Sequence, residues 1–152
     1  MVSNVGFILL AFLGGAVLPI QIGFNSNLRL SLGSAMQAAF VSFSVGALAA
    51  LAVCIATRTP LPNAEKLATP AAWMWLGGCF GVFYVWTTIM TGPRIGAAFA
   101  ISLAIAGQLI VAAMLDHNGA LGFPQDSLSP IKMAGIGLVI AGVVLVGYAK
   151  QS

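Results

Sequence analysis

The chain has 152 residues, 60% of them hydrophobic and only 6% charged, with a mean hydropathy of +1.04. Soluble domains carry about 25% charged residues, so a water-soluble fold is excluded and the sequence is that of a membrane protein. The net charge of +3 arises from six Lys and Arg against three acids; these fall in connections or at the ends of apolar runs, so the basic balance gives no indication of a nucleic-acid partner.

Crossing a hydrocarbon core takes about 20 residues of helix. Five apolar runs are long enough, at about 5–24, 34–57, 71–90, 95–115 and 131–148. A transmembrane barrel would show alternating segments of about ten residues instead. The expected fold is an all-α membrane protein with five transmembrane helices, forming a single domain over 1–152.

The first run has no basic leader and continues through Pro19 and Gln21 without a cleavage site, which predicts a retained helix rather than a signal peptide. Gly14, Leu18, Gln21 and Asn25 recur at helical spacing and stack on one face. Pro19 lacks an N–H and crowds the carbonyl of Gly15, so a bend is expected there, eased by Gly14 and Gly15. These three are hinge candidates, and a polar stripe follows them.

The second run opens with Gln37 and carries Ala38, Ser42, Gly46 and Ala50 at four-residue spacing, with Ser44 near the Gln37 face. In the third, Gly77, Gly81, Tyr84 and Thr88 stack, with Thr87 and Thr91 beside them. The fourth repeats small residues at Ala98, Ser102 and Ala106 and adds Gln108, and the fifth contains Gly135, Gly137, Gly142 and Gly147. Small faces let helices approach closely in lipid, where apolar side chains alone give no preference for helix over lipid. Trp73 and Trp75 are expected in an interfacial belt, with Tyr84 and Trp86 deeper. Cys54 and Cys79 are expected to be small core residues, too different in depth to form a disulfide.

An unsatisfied amide in hydrocarbon costs several kcal/mol. Gln21, Asn25, Gln37, Tyr84, Thr88, Ser102 and Gln108 must therefore face protein or water, and they form the candidate surface for a small polar or amphipathic solute. The plain alternative is bonding between helices at about 0.6 kcal/mol each, or, for hydroxyls, within their own helix. No Asp or Glu lies inside a span and Lys132 stands only at the end of one, so the buried carboxylate common in proton-coupled pumps is missing. Asp116 and His117 stand at the end of the fourth run as a neighbouring titratable pair. They are either a solvated turn beside "NGALGFP" or a gate or ion-coupling element. One histidine without metal-ligand spacing, nucleophile motif or phosphate loop predicts no enzyme, no cofactor and no metal site.

Connections alternate sides of the membrane, which places Arg58, Lys66 and Lys132 with the N-terminus and Arg29, Arg94 and Lys150 opposite, three against three. Orientation follows the Lys/Arg bias of short loops, and here there is none. Either an insertion partner or the first helix fixes one orientation, or the chain inserts both ways and pairs with an inverted copy, giving ten helices about a twofold axis in the membrane plane.

The stretches "PIQIGFNSNL" (Pro19 to Leu28), "SFSVG" (Ser42 to Gly46), "GGCFGVFYV" (Gly77 to Val85), "GPRIGAA" (Gly92 to Ala98) and "GQLIVAAMLDHNGALG" (Gly107 to Gly122) together resemble the YdcZ-like inner-membrane proteins, a five-helix branch of the drug/metabolite transporter superfamily. The likeness spans essentially the whole chain. Gly-Gln followed by Asp-His and Gly is its most specific part, and Asn118 departs from it where an aromatic would stand. The resemblance implies a multi-pass protein of the bacterial inner membrane, and half-size units that occur as dual-topology chains, as opposite-facing pairs or as fused ten-helix proteins. It also implies a cavity lined by helices matching the first, third and fourth runs, and export of a small metabolite or drug. The combined expectation is a secondary transporter working by alternating access as an antiparallel homodimer among membrane lipids. A heterodimer with an opposite-orientation paralogue, and a non-transporting scaffold or accessory subunit, are the alternatives.

Overall fold

The computed structural model describes residues 2–151, and the side chains of residues 5–149. The side chain of Lys150, counted above among the charges opposite the N-terminus, lies outside them. Helix α1 is Val2–Leu32, α2 Ala35–Ala56, the short α3 Ala64–Ala68, α4 Leu76–Ile95, α5 Ala97–Asn118 and α6 Pro130–Gln151. A 3₁₀ turn, Ala72–Trp75, leads into α4 and another, Ala120–Gly122, follows α5. Five stretches are long and apolar enough to cross a membrane: Val5–Leu32, Ala35–Ala56, Ala72–Ile95, Ala97–Asn118 and Pro130–Ala149.

The expected runs differ from these spans at their ends. The first extends from residue 24 to Leu32, because the segment "NSNLRL" stays helical until Gly33, whose φ of 79° ends the helix at a position suited to glycine. Ser34 then caps α2, its Oγ accepting from the Gln37 N–H at 3.5 Å. The third continues to Ile95 through Pro93, and only Gly96, at φ 79°, separates α4 from α5. The fourth ends at Asn118, so Asp116 and His117 belong to its last helical turn rather than to a loop. Helix α1 runs through Pro19 without interruption.

Contacts within the chain gather into two compact units, Met1–Pro93 and Arg94–Ser152. The core of the first is the cluster of Ala35, Ala38 and Ala39 from α2 with Val85 and Ile89 from α4, against which Leu28, Tyr84 and Met90 pack. The three alanines pack with Val85 and Ile89, and Ile89 is the largest fully buried side chain. Phe43 lies over Gly81, 3.2 Å from where a Cβ would stand, and Ile22 abuts Gly92 at 3.0 Å. Gly77, the other half of the Gly77/Gly81 pair, has no such neighbour. Of the described α1 side chains, only Ile22 and Asn25 are buried.

In the second unit α5 and α6 pack together, and the Phe99 ring sits 2.9 Å from the Cβ position of Gly147. Gly135, Gly137 and Gly142 meet nothing within 4 Å, so most of the α6 glycines are open within the protomer. Both cysteines are free, but Cys54 is half-buried and Cys79 exposed. Neither is the core residue expected. Trp73 and Trp75, each just over half exposed, stand in the turn that opens the third span.

Candidate functional site

Gln21 is exposed and lines an open groove of about 330 Å³ with Ser42, Phe43, Gly46 and Ala47 of α2. Close packing of α2 on its neighbours has relaxed by this depth, since Gly46 meets nothing within 4 Å. Asn25, one turn further along α1, is 5% exposed, and its Nδ2 is buried without a hydrogen-bond partner. Ser26 Oγ and, on α4, Thr87 Oγ1 share that condition. The face α1 turns inward therefore carries Ile22 and Asn25, while Gln21 lies towards α2.

The hydroxyls behave differently. Thr88 is buried, but its Oγ1 donates to Val85 O at 2.8 Å. Ser102 donates to Ala98 O at 2.8 Å, Thr91 to Thr87 O at 2.8 Å and Ser44 to Phe40 O at 2.9 Å. These four bond their own helices. Tyr84 packs against the α2/α4 cluster, and Gln37 is exposed in the first turn of α2. Gln108 is exposed midway along α5. Of the hinge candidates, Gly14 and Gly15 meet nothing within 4 Å, and Pro19 is exposed.

Asp116 and His117 organise the loop after α5. Lys132 Nζ lies 3.5 Å from Asp116 Oδ2 and 3.0 Å from Asp126 Oδ2. The Asp126 N–H donates to Asp116 O at 2.8 Å, the Leu128 N–H to His117 Nδ1 at 3.3 Å, and Gln125 Nε2 to His117 O at 3.2 Å. Accepting from Leu128 requires Nδ1 to be unprotonated. As adjacent helical residues the two aim apart, Asp116 at Lys132 and His117 at the loop. Gly119, at φ 58°, closes the helix and donates to Asp116 O.

Two cations counted only as loop charges prove to be structural members. Lys132 is one. Arg29 is the other: its Nη1 donates to Ile89 O at 3.4 Å. Pro93 follows Ile89 by four residues and has no N–H, so that carbonyl lacks its helical donor. The orphaned acceptor was readable from Pro93 alone, whereas the donor that reaches it was not. Among the described residues no group of three His, Cys, Asp or Glu stands where it could hold a metal ion.

The family model described as "Putative inner membrane exporter, YdcZ" matches residues 6–145. The chain belongs to this family. No curated protein and no solved structure matches it. With its five apolar helices, membership of the YdcZ family makes the chain a multi-pass protein of the inner membrane and, in broad terms, a transporter.

Proposed function

We propose that the chain is a secondary transporter that exports a small polar solute by alternating access, and that it does so as an antiparallel homodimer of dual topology. The observation that carries the solute site is Asn25, whose amide is buried without a partner inside a membrane span. No water reaches such a group from hydrocarbon, and an occupant that accepts its hydrogen bond relieves the cost. Gln21 in its open groove beside α2 is the second contact. Gly14 and Gly15, free of neighbours, leave α1 room to flex at Pro19.

An inverted second copy is supported by three features. Lys and Arg divide equally between the two sides, Gln21 and Gln108 are exposed within spans, and the glycines of α6 are open over three positions. A membrane face bearing amides and glycines packs better on protein than on lipid. An opposite-facing paralogue fits the same surface. The Asp116 and His117 pair acts at the gate between α5 and α6, where Lys132 and the loop already hold it.

Reporters fused to the C-terminus test the assembly: activity on both sides of the membrane is expected, and activity on one side only removes the dual-topology homodimer. For the site, purified protein screened against a panel of metabolites and drugs is expected to show solute-dependent thermal stabilisation that Gln21→Leu abolishes without reducing expression. A scaffold or accessory subunit, the reading favoured by the four hydroxyls that bond their own helices, shows no solute response.

A further inference from the structure

Asn25 and Arg29 are four residues apart on α1 and therefore share a face, with Cβ atoms about 5–6 Å apart. An arginine in the last turn of a span ordinarily snorkels outward to the interface and favours the negative end of the helix. Arg29 instead reaches back to the carbonyl of Ile89, a residue with 0% exposure. That single bond is long at 3.4 Å and part-buried, and no ion pair joins Arg29 to an acid among the described residues. The one acid of Met1–Pro93 is Glu65, which lies beyond the other end of α2, a helix of 22 residues and so about 33 Å long. A half-buried cation thus stands without a counter-ion next to a buried amide N–H without an acceptor.

A planar guanidinium fork with one further N–H on the same face matches the two oxygens of a carboxylate. One cation compensates one negative charge; a dianion would bring a second, uncompensated charge into low dielectric. We propose that Asn25 and Arg29 form an anion site, and that the solute of the transporter described above is a small monocarboxylate held there. This deepens that reading and rests on it. The anionic oxygen could equally come from a lipid phosphate, so the test separates the two sources.

Full-length protein in dodecyl maltoside, a detergent without charge or phosphate, is melted with acetate, lactate or benzoate and with the matching amides at one pH and ionic strength. A parallel arm adds phosphatidylglycerol and no soluble acid. At least one acid is expected to raise the melting temperature where its amide does not. Arg29→Lys, which keeps the charge and a donor for Ile89 O but not the fork, weakens that affinity by about tenfold, and Arg29→Gln or Asn25→Leu abolishes the shift. Should Arg29→Gln fail to fold, Arg29→Lys and Asn25→Leu still decide the question. Equal stabilisation by acid and amide, no shift with any of the acids, or a shift confined to phosphatidylglycerol overturns the proposal. A neutral or cationic solute whose effect survives Arg29→Gln but not Gln21→Leu removes the anion site and leaves the transporter; silence across every solute removes both.

Discussion

In Met1–Pro93, Asn25 Nδ2, Ser26 Oγ and Thr87 Oγ1 are buried without partners. In Arg94–Ser152 no described side chain holds such an atom, for Ser102 bonds Ala98 O, and Asp116, Asp126 and Lys132 tie the α5–α6 loop together. Each unpaired buried polar atom costs about 1–3 kcal/mol. The first unit therefore retains a polarity that its own packing does not use, while the second spends its polar groups on closing a loop. An unsatisfied buried group in a native structure calls for an explanation, and on that ground the proposed solute contacts are assigned to α1.

The sharpest way to break this contrast is to remove the orphaned amide. Asn25→Leu keeps the branched heavy-atom skeleton of the side chain and deletes the unsatisfied group, so it is expected to stabilise the protein by about 1–3 kcal/mol while abolishing the solute response. Thr88→Val, at an equally buried position whose hydroxyl already bonds Val85 O, is expected to change stability by less than about 1 kcal/mol. Thermal unfolding in detergent, with and without solute, compares the two. If Asn25→Leu destabilises like an ordinary core change, the amide is part of the packing and the contrast fails.

The next contrast lies inside α6. A Cβ at Gly147 would stand 2.9 Å from Phe99, whereas one at Gly137 meets nothing within 4 Å. Gly147→Ala forces the ring to move and is expected to cost about 1 kcal/mol net, overpacking offset by better helix propensity. Gly137→Ala is expected to be neutral or stabilising by up to about 1 kcal/mol. Melting the two variants side by side measures the difference, and an equal loss at both sites would mean that a partner covers Gly137.

Much of the architecture was legible because apolar length is the main constraint in a bilayer: five runs became five spans. Their ends are less so, since apolar runs that stop at residues 24 and 90 leave out the "NSNLRL" segment and Pro93, which are helical. Pro93 removes one bond that Arg29 replaces from another helix, a tertiary compensation that local propensity does not encode. For the candidate site, spacing puts Gln21 and Asn25 on one stripe, but only packing distinguishes the open Gln21 from the buried Asn25, because an offset of about 40° around α1 leaves one in the groove beside α2 and buries the other. The role of Lys132 was hidden for a related reason. Its partners are 6 and 16 residues away in sequence across a loop whose shape depends on Gly119 in its left-handed conformation.

That loop gives the smallest expected effect. Lys132→Met removes both ion pairs, yet the side chains of Asp116 and Asp126 keep 34% and 70% of their exposure, so solvent screening leaves each pair only a small contribution. The backbone bonds from Asp126 to Asp116 O and from Leu128 to His117 Nδ1 remain. The melting temperature is therefore expected to shift little, while protease cleavage within residues 119–129 rises a few-fold. High salt should erase the difference from wild type, since at about 1 M the screening length falls to about 3 Å. A large loss of stability that persists in salt would show that Asp116 and Lys132 are shielded from solvent by a neighbouring chain. The polarity of the second unit would then serve assembly as well as loop closure.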